Sequence, residues 1–292
     1  MKKSLIALAL AGAFAIPAFA QTAAPAAEAA TEPASPHTLT GNVGLFSSYR
    51  FRGIDQTYGQ PALQGGVDYS HESGIYLGNW NSNVNSGAGF AEGNLEMDFY
   101  GGWKTTFGDF GLDLGAIYYY YPGSEAAPLS YTNSRNIGKS ADGTVGNGEI
   151  YIGGSWKTIS LKYNYALTDY FSLPDSKGTS SLDLSGSCDL GDGWGINAHV
   201  GHLYAKDYRY AGTTGSNDIS YTDWKLGVTK DISGWVVGLA YVDTNAKGDC
   251  GSAEFYCFSN SLSYNNGATS FGGKTRDAGR AIGQQIGKQA GE

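Results

Sequence analysis

The sequence predicts an all-β fold: a transmembrane, antiparallel, up-and-down β-barrel of about twelve strands. Three observations predict it. Apolar and polar residues alternate in successive runs from Thr38 almost to the end of the chain, short and long connections alternate between the runs, and aromatic residues collect near both ends of the runs. Because neighbouring side chains of a strand point to opposite faces, the alternation predicts one apolar wall and one polar wall.

The first residues predict export. Met1-Lys2-Lys3 is a short basic segment, an apolar run follows from Leu5 to Phe19, and Ala18-Phe19-Ala20 has the small-x-small pattern of a cleavage site. The apolar run is shorter than the ~20 residues of a membrane-spanning helix, so we expect a signal peptide over residues 1–20. Residues 21–37, rich in Ala, Pro and Thr, are expected to form a flexible lead-in, and residues 38–292 to form the barrel.

The alternation is cleanest in the fourth run. Leu95, Met97 and Phe99 share one parity, and Glu96 and Asp98 share the other. Most runs have roughly the 9–11 residues that a tilted strand needs to cross a bilayer. The connections follow a rhythm typical of outer-membrane barrels, with short turns near 71–74, 108–109, 157–158, 191–193 and 231–234 and longer polar loops at 53–59, 85–93, 122–148, 169–178, 206–218 and 245–254.

A soluble β-sandwich also alternates, and it is the alternative fold. The aromatic residues favour the barrel, because two girdles are expected where a barrel meets the two membrane interfaces. The band near the short turns consists of Trp103, Phe107, Phe110, Trp156, Trp194 and Trp235. The band near the long loops consists of Tyr49, Phe51, Tyr118 to Tyr121, Tyr165, Tyr204 and Tyr241.

The polar parity assigns charged side chains to the lumen. The candidate pore-lining residues are Arg50, Arg52, Asp68, Glu96, Asp98, Asp113, Glu149, Lys162, Asp183, Asp223 and Lys225. The acids crowd neighbouring strands, and acidic rings favour cations, so a narrow and weakly cation-preferring pore is expected. The alternative is that acids and bases pair and plug the lumen. Arg50 and Arg52, at the end of the first predicted strand, are interpreted as forming ion pairs, with an anion-binding role as the alternative.

The sequence indicates no catalytic centre. His199 is the single histidine whose strand position faces the lumen, and we interpret it as a hydrogen-bonded side chain. His202, three residues on, points to the opposite face, so the two make a poor metal pair. No Gly-x-Ser-x-Gly motif is present. We therefore expect no enzymatic activity, no cofactor and no metal.

The three cysteines predict one disulfide. Cys250 and Cys257 flank a short polar segment that is expected outside the membrane, where an oxidising environment favours a bridge. Cys188 lies in a predicted strand and is expected to be a free, lipid-facing thiol. Three unpaired thiols are the alternative.

The first third of the chain resembles the TorF or Gcw_chp family of proteobacterial porins. The motifs that carry the resemblance are Ser48-Tyr49-Arg50-Phe51-Arg52-Gly53-Ile54, Gln60-Pro61-Ala62-Leu63-Gln64-Gly65-Gly66-Val67-Asp68-Tyr69, Tyr76-Leu77-Gly78-Asn79-Trp80 and Glu96-Met97-Asp98-Phe99-Tyr100-Gly101-Gly102. The resemblance implies an outer-membrane protein with porin activity. The chain departs from such barrels at its polar, aromatic-free C-terminus, so residues 255–264 and 278–288 are alternative closing strands.

These observations predict an outer-membrane porin for passive diffusion of small hydrophilic solutes or ions. The alternatives are a structural or adhesive barrel without an open pore, and an outer-membrane barrel enzyme. The expected partners are outer-membrane lipid, the barrel assembly machinery and small hydrophilic solutes. Nucleic acid is not expected, because the chain has a net charge of −8 and no basic clusters.

Overall fold

The computed structural model describes residues 35–85, 93–124, 143–173, 175–205, 218–248 and 255–256. Its strands are β1 (His37–Phe46), β2 (Arg50–Phe51), β3 (Ile54–Asp55), β4 (Ala62–His71), β5 (Ile75–Asn83), β6 (Leu95–Phe107), β7 (Phe110–Tyr120), β8 (Gly146–Trp156), β9 (Ile159–Ala166), β10 (Ser180–Gly191), β11 (Trp194–Tyr204), β12 (Tyr221–Ile232) and β13 (Trp235–Thr244). A short 3-10 helix, Tyr170–Ser172, follows β9. No helix in these ranges is long and apolar enough to span a membrane.

Eleven strands form one antiparallel sheet in the order β1-β4-β5-β6-β7-β8-β9-β10-β11-β12-β13, while β2 and β3 pair with each other. Each strand of the sheet is therefore hydrogen-bonded to its neighbours along the chain, and this up-and-down order confirms the predicted fold. The prediction of about twelve strands included a closing strand at 255–264 or 278–288. Both candidates lie outside the described residues, except for Phe255 and Tyr256, which form a turn.

The predicted domain limits fall mostly beyond the described part of the chain. The signal peptide (1–20) and the lead-in (21–37) lie outside it except for the last three residues of the lead-in, and β1 begins at His37, one residue before the predicted barrel.

The outer wall of the sheet is apolar. Leu77, Phe99 and Ile152 lie in mid-strand and are 59, 47 and 51% exposed. Such exposure of apolar side chains on one face suits a wall that contacts lipid. The neighbouring parity, which includes Glu96 and Asp98, points inward and is buried. As predicted, the apolar parity of each strand therefore faces outward and the polar parity faces inward.

The connections distinguish two ends of the barrel. We call the end with the turns 108–109, 157–158, 192–193 and 233–234 the short-turn end, and the opposite end the long-loop end. The predicted aromatic band at the short-turn end lies on the outer wall, where all of its members are exposed: Trp103, Phe107, Phe110, Trp156, Trp194 and Trp235.

The first strand is shorter than predicted. β1 ends at Phe46, and residues 47–61 leave the wall and fold into the barrel as a hairpin built on β2 and β3. We call residues 47–61 the inner hairpin. Its residues 51–58 are all buried, so the expectation that Tyr49 and Phe51 belong to a lipid-facing girdle is wrong: they are 4 and 6% exposed inside the lumen. Alternation alone misassigned them, because a buried hairpin continues the same period.

The inner hairpin also reveals how the sheet curls. It contacts Glu96 on β6, Glu149 on β8 and Asp223 on β12, which are far apart in the order of the sheet. One hairpin can reach all three strands because the sheet wraps around it. The barrel core is therefore the hairpin itself, with buried aromatic and polar side chains around it.

Candidate functional site: the barrel lumen

The lumen has two halves with different packing. In the long-loop half the inner hairpin fills the interior, and the inward side chains around it are almost fully buried, including Glu96 and Glu149 at 1 and 3% exposure. In the short-turn half, Asp68, Lys162 and Lys225 point inward and are only half-buried. The short-turn half is therefore packed less completely, and the hairpin fills the other half.

A tight two-residue turn forms the tip of the inner hairpin. Arg52 and Gly53 connect β2 to β3 with φ angles of 46° and 79°, the left-handed values that hairpin turns of this kind require. A Cβ on Gly53 would lie 2.6 Å from the Asp223 Cβ on the far wall. Glycine is therefore required here both by the backbone and by the close approach to β12.

An ion pair anchors this tip to the wall. The Arg52 guanidinium donates two hydrogen bonds to the Glu149 carboxylate, Nη1 to Oε1 at 3.1 Å and Nη2 to Oε2 at 2.8 Å. Nη1 also donates to the Tyr170 hydroxyl at 2.7 Å. Burial raises the pKa of Tyr170 to about 12, so this hydroxyl stays neutral and accepts the bond. Arg52 therefore forms an ion pair, as interpreted from the sequence, and its partner is Glu149.

Further hydrogen bonds shape the hairpin from within. Arg50 lies 3.4 Å from Asp55 across β2 and β3. The Asp55 carboxylate accepts bonds from the Thr57 and Gly59 amides at 2.9 and 2.7 Å. Polar groups that would be costly to bury are therefore bonded to one another inside the lumen.

Aromatic rings pack the rest of the blocked half. The Phe51 ring lies 5.6 Å from both Tyr119 on β7 and Phe171 of the β9–β10 loop. The inner hairpin and the β9–β10 loop, both connections of the long-loop end, therefore meet inside the barrel. A cavity of about 10 Å³ remains among Phe51, Ile54, Gln56, Tyr121, Tyr170, Phe171, Leu203, Tyr221 and Tyr256, which is room for about one water.

Glu96 and Asp98 lie beneath the hairpin with little hydrogen bonding. Glu96 Oε1 accepts a bond from the Tyr49 hydroxyl at 3.1 Å. Glu96 Oε2 and both carboxylate oxygens of Asp98 have no partner among the described residues, although Asp98 is 0% exposed. Trp80 and Tyr119 are the ladder neighbours of Asp98 on either side. Buried carboxylates without partners are uncommon and point to a ligand or a proton.

Tyrosines bind the acids of the open half. The Tyr76 hydroxyl donates to Asp113 Oδ1 at 2.6 Å and is bonded to Tyr151. The Tyr100 hydroxyl donates to Asp68 Oδ1 at 2.5 Å. The sequence could have identified Tyr76 and Tyr100 as inward-facing residues. Tyr76 lies between the outward-facing Ile75 and Leu77, and Tyr100 has the same parity as Asp98.

The basic residues of the open half lie among the same strands. The Lys162 ammonium lies 3.6 Å from the centre of the Tyr151 ring, a cation–π contact. Lys225 is the ladder neighbour of His199 between β12 and β11. Lys162 and Lys225 therefore both face the interior, as Asp68 and Asp113 do.

His199 lies between two carboxylates. Its Nδ1 is 2.5 Å from Asp183 Oδ2, and its Nε2 is 2.6 Å from Asp223 Oδ2. The Ser185 hydroxyl donates to Asp183, not to the histidine. Because both ring nitrogens are engaged and the serine is on the wrong side of the aspartate, this group lacks the order of a catalytic triad. His202 instead contacts Thr222 at 2.7 Å.

The remaining site predictions concern the cysteines. Cys188 is an exposed free thiol on the outer face of β10. Cys250 and Cys257, the predicted disulfide, lie outside the described residues. The role of Asp55 and Tyr170 in the blocked lumen was not predicted, since both belong to connections with no strand periodicity.

Fold and lumen together define the class: a transmembrane β-barrel with a charged interior, narrowed by a hairpin folded in from one end. The chain belongs to the Gcw_chp family, described as a bacterial protein of unknown function, whose model matches residues 30–265. No curated protein matches the chain.

The solved structures to which the chain is similar include three proteins. The COG4313 outer membrane channel from Pseudomonas putida F1 is 9% identical, with 90% of this chain and all of that chain covered and a TM-score of 0.45. OmpT of Vibrio cholerae is 11% identical, with 89 and 99% covered and a TM-score of 0.37. The P. putida toluene transporter TodX is 12% identical, with 73 and 76% covered and a TM-score of 0.36. Likeness at this level does not establish a shared function.

Proposed function

We propose that the protein is a channel of the bacterial outer membrane through which small hydrophilic solutes or ions diffuse passively, and that the inner hairpin closes its long-loop half. The observation that carries the proposal is the half-open lumen. Asp68, Lys162 and Lys225 are half-buried in a polar interior, behind an outer wall of exposed apolar side chains. A polar, hydrated interior inside an apolar wall is the arrangement of a pore.

The orientation follows from the connections. Short turns face the periplasm and long loops face outward in outer-membrane barrels, so the open half would face the periplasm and the hairpin would lie towards the outside. Passage then requires the hairpin to move away from Glu149 and Tyr170. The porin activity implied by the TorF resemblance agrees with this proposal.

We retain a weak preference for cations as part of the proposal. The inward acids number seven and the predicted inward bases six, so the preference is weak, and of these bases Lys157 lies exposed in a turn. The acids are Asp68, Glu96, Asp98, Asp113, Glu149, Asp183 and Asp223, and the bases are Arg50, Arg52, Lys104, Lys157, Lys162 and Lys225. Since Arg52 neutralises Glu149, the unbalanced charge lies mainly with Glu96 and Asp98. Carboxylates along a narrow path favour cations.

A second candidate function is a structural or adhesive barrel without an open pore. The filled long-loop half is the observation that favours it, because the cavity among its described residues measures about 10 Å³. The two functions differ in one measurable property, the conduction of ions.

Single-channel recording in planar bilayers tests the proposal. We expect brief or low conductance from the wild-type chain and a several-fold larger conductance when residues 50–55 are replaced by a Gly/Ser linker of the same length. Folding of both proteins is checked by their heat-modifiable mobility in SDS gels. Absence of conductance from both folded proteins would refute the channel and favour the structural barrel.

A further inference from the structure

The buried carboxylates beneath the inner hairpin form a second kind of site. Glu96 and Asp98 are two residues apart on β6 and therefore share its inward face. They are 1 and 0% exposed, and three of their four carboxylate oxygens have no hydrogen-bond partner among the described residues. Full burial of Asp98 with neither oxygen bonded is an observation separate from the mere proximity of two acids.

The nearby basic residues do not compensate this charge. Both Arg52 amino groups are bonded to Glu149, Arg50 faces Asp55 at 3.4 Å, and Lys162 lies against the Tyr151 ring. No ion pair of Glu96 or Asp98 occurs in the part of the chain that the structure describes. Two desolvated carboxylates on one strand repel each other when ionised, so they favour an added positive charge, either a proton or a cation.

We propose that Glu96 and Asp98 bind a hard divalent cation, calcium, and that the bound cation fastens the inner hairpin in the lumen. The donors are all oxygens, which hard cations prefer. Besides the two carboxylates, the Tyr49 hydroxyl lies 3.1 Å from Glu96, and Ser82, 1% exposed, is the ladder neighbour of Glu96 on β5.

Calcium suits this set better than magnesium or zinc. The two carboxylates come from one strand, and no group of three or more His, Cys, Asp or Glu residues with metal-binding geometry occurs in the described ranges. Calcium accepts irregular coordination completed by hydroxyls, carbonyls and water, whereas magnesium demands a near-ideal octahedron. Zinc prefers nitrogen and sulfur donors.

The site connects two parts of the molecule. Tyr49 belongs to the inner hairpin, and Glu96 belongs to the wall. A cation held by the wall carboxylates beneath Tyr49 would lower the tendency of the hairpin to leave the lumen. The binding proposal itself does not rest on channel activity, because calcium binding to the folded protein is measured without any record of conduction.

Calorimetric titration of calcium into the chelator-stripped, folded full chain in detergent tests the site. We expect one calcium ion per chain, with a dissociation constant of about 0.1–1 mM, as in extracellular calcium sites. Asp98→Asn and Glu96→Gln should each weaken binding at least about tenfold. Asp109→Asn removes an exposed carboxylate at the short-turn end and should bind as the wild type does.

Melting of the same proteins gives an independent measurement. In chelator, Asp98→Asn should melt at a higher temperature than the wild type, because it removes one of two buried like charges. About 5 mM calcium should raise the Tm of the wild type and of Asp109→Asn and raise that of Asp98→Asn clearly less. No calcium binding by the folded wild type, an undiminished response of Asp98→Asn and Glu96→Gln, or a lower Tm of Asp98→Asn in chelator would each overturn the proposal.

Discussion

Arg52 and Glu149 meet inside the barrel through two hydrogen bonds of 3.1 and 2.8 Å, although they are 97 residues apart in the chain. Their side chains are 5 and 2% exposed. Arg52 sits at the tip of the inner hairpin and Glu149 on the wall strand β8, so this pair determines where the hairpin ends. The pair therefore holds the inner hairpin, which is the first connection of the barrel, in the position where it fills the lumen.

Removing one partner of this pair should destabilise the folded barrel. Arg52→Ala leaves Glu149 buried and unpaired, so we expect a loss of about 3–5 kcal/mol in the free energy of unfolding. The double variant Arg52→Ala/Glu149→Gln should recover part of this loss, because no buried charge remains. Lys157→Ala is the matched control: its side chain and that of Asp109 are 57 and 65% exposed and 3.9 Å apart, so it should change stability by about 0–1 kcal/mol.

Urea titrations of the four proteins in lipid vesicles, followed by tryptophan fluorescence, measure these differences. A loss for Arg52→Ala no greater than that for Lys157→Ala would show that the ion pair does not anchor the hairpin.

The cost of placing a charged side chain on the outer wall should depend on its depth in the membrane. Ile152 lies in the middle of β8 and is 51% exposed, whereas Ile159, 48% exposed, begins β9 beside the short turn. Arginine at the bilayer midplane costs about 2–4 kcal/mol, and near the interface about 0–1 kcal/mol. Ile152→Arg should therefore reduce folding stability in vesicles far more than Ile159→Arg. Equal effects would contradict a membrane-spanning wall in this position.

The charges of the open half should tune ion selectivity. Lys162 and Lys225 are half-buried and face the lumen; replacing either with Gln removes a positive charge and should increase the preference for cations. Asp68→Asn should reduce that preference, and the exposed Lys157→Gln should leave it unchanged. Reversal potentials in a salt gradient, measured with the linker-replaced hairpin to ensure conduction, report the sign. A preference for anions in the linker-replaced protein with Asp68, Lys162 and Lys225 intact would refute the proposed selectivity.

The cysteines should separate into a bridge and a free thiol. Cys188 is exposed on the outer face of β10 and should react with a membrane-soluble maleimide without prior reduction. Cys250 and Cys257 should appear as one disulfide-linked peptide, because a bridge across this short segment forms readily in an oxidising compartment. Mass spectrometry of non-reduced peptides distinguishes these states, and a bridge involving Cys188 would contradict its position on the outer face.

Much of the wall was predictable because successive side chains of a strand point to opposite faces. Leu95, Met97 and Phe99 differ in parity from Glu96 and Asp98, and this difference alone assigns Glu96 and Asp98 to the inner face. The structure buries both of them. The short-turn aromatic band, with Trp156 and Trp235 exposed on the outer wall, was predictable for the same reason.

The inner hairpin was not predictable in this way. Leu39, Val43, Leu45, Tyr49 and Phe51 keep one parity, with only a local break at Phe46 and Ser47, so the parity alone does not show that β1 stops at Phe46. The Arg52-Gly53 turn is a local signal of a hairpin, but a turn in solvent and a turn inside the lumen use the same backbone angles. Its direction depends on Glu149 and Tyr170, which are distant in the chain.

By itself, the sequence determined that this chain forms an up-and-down barrel and which parity of each strand faces inward, because strand geometry converts alternation into two walls. Only the tertiary structure decided that residues 47–61 fill one half of the lumen and that Arg52 pairs with Glu149. It also decided that the Asp98 carboxylate is buried with no hydrogen-bond partner among the described residues. These outcomes depend on contacts across the barrel, and such contacts exist only after the sheet has curled around the hairpin.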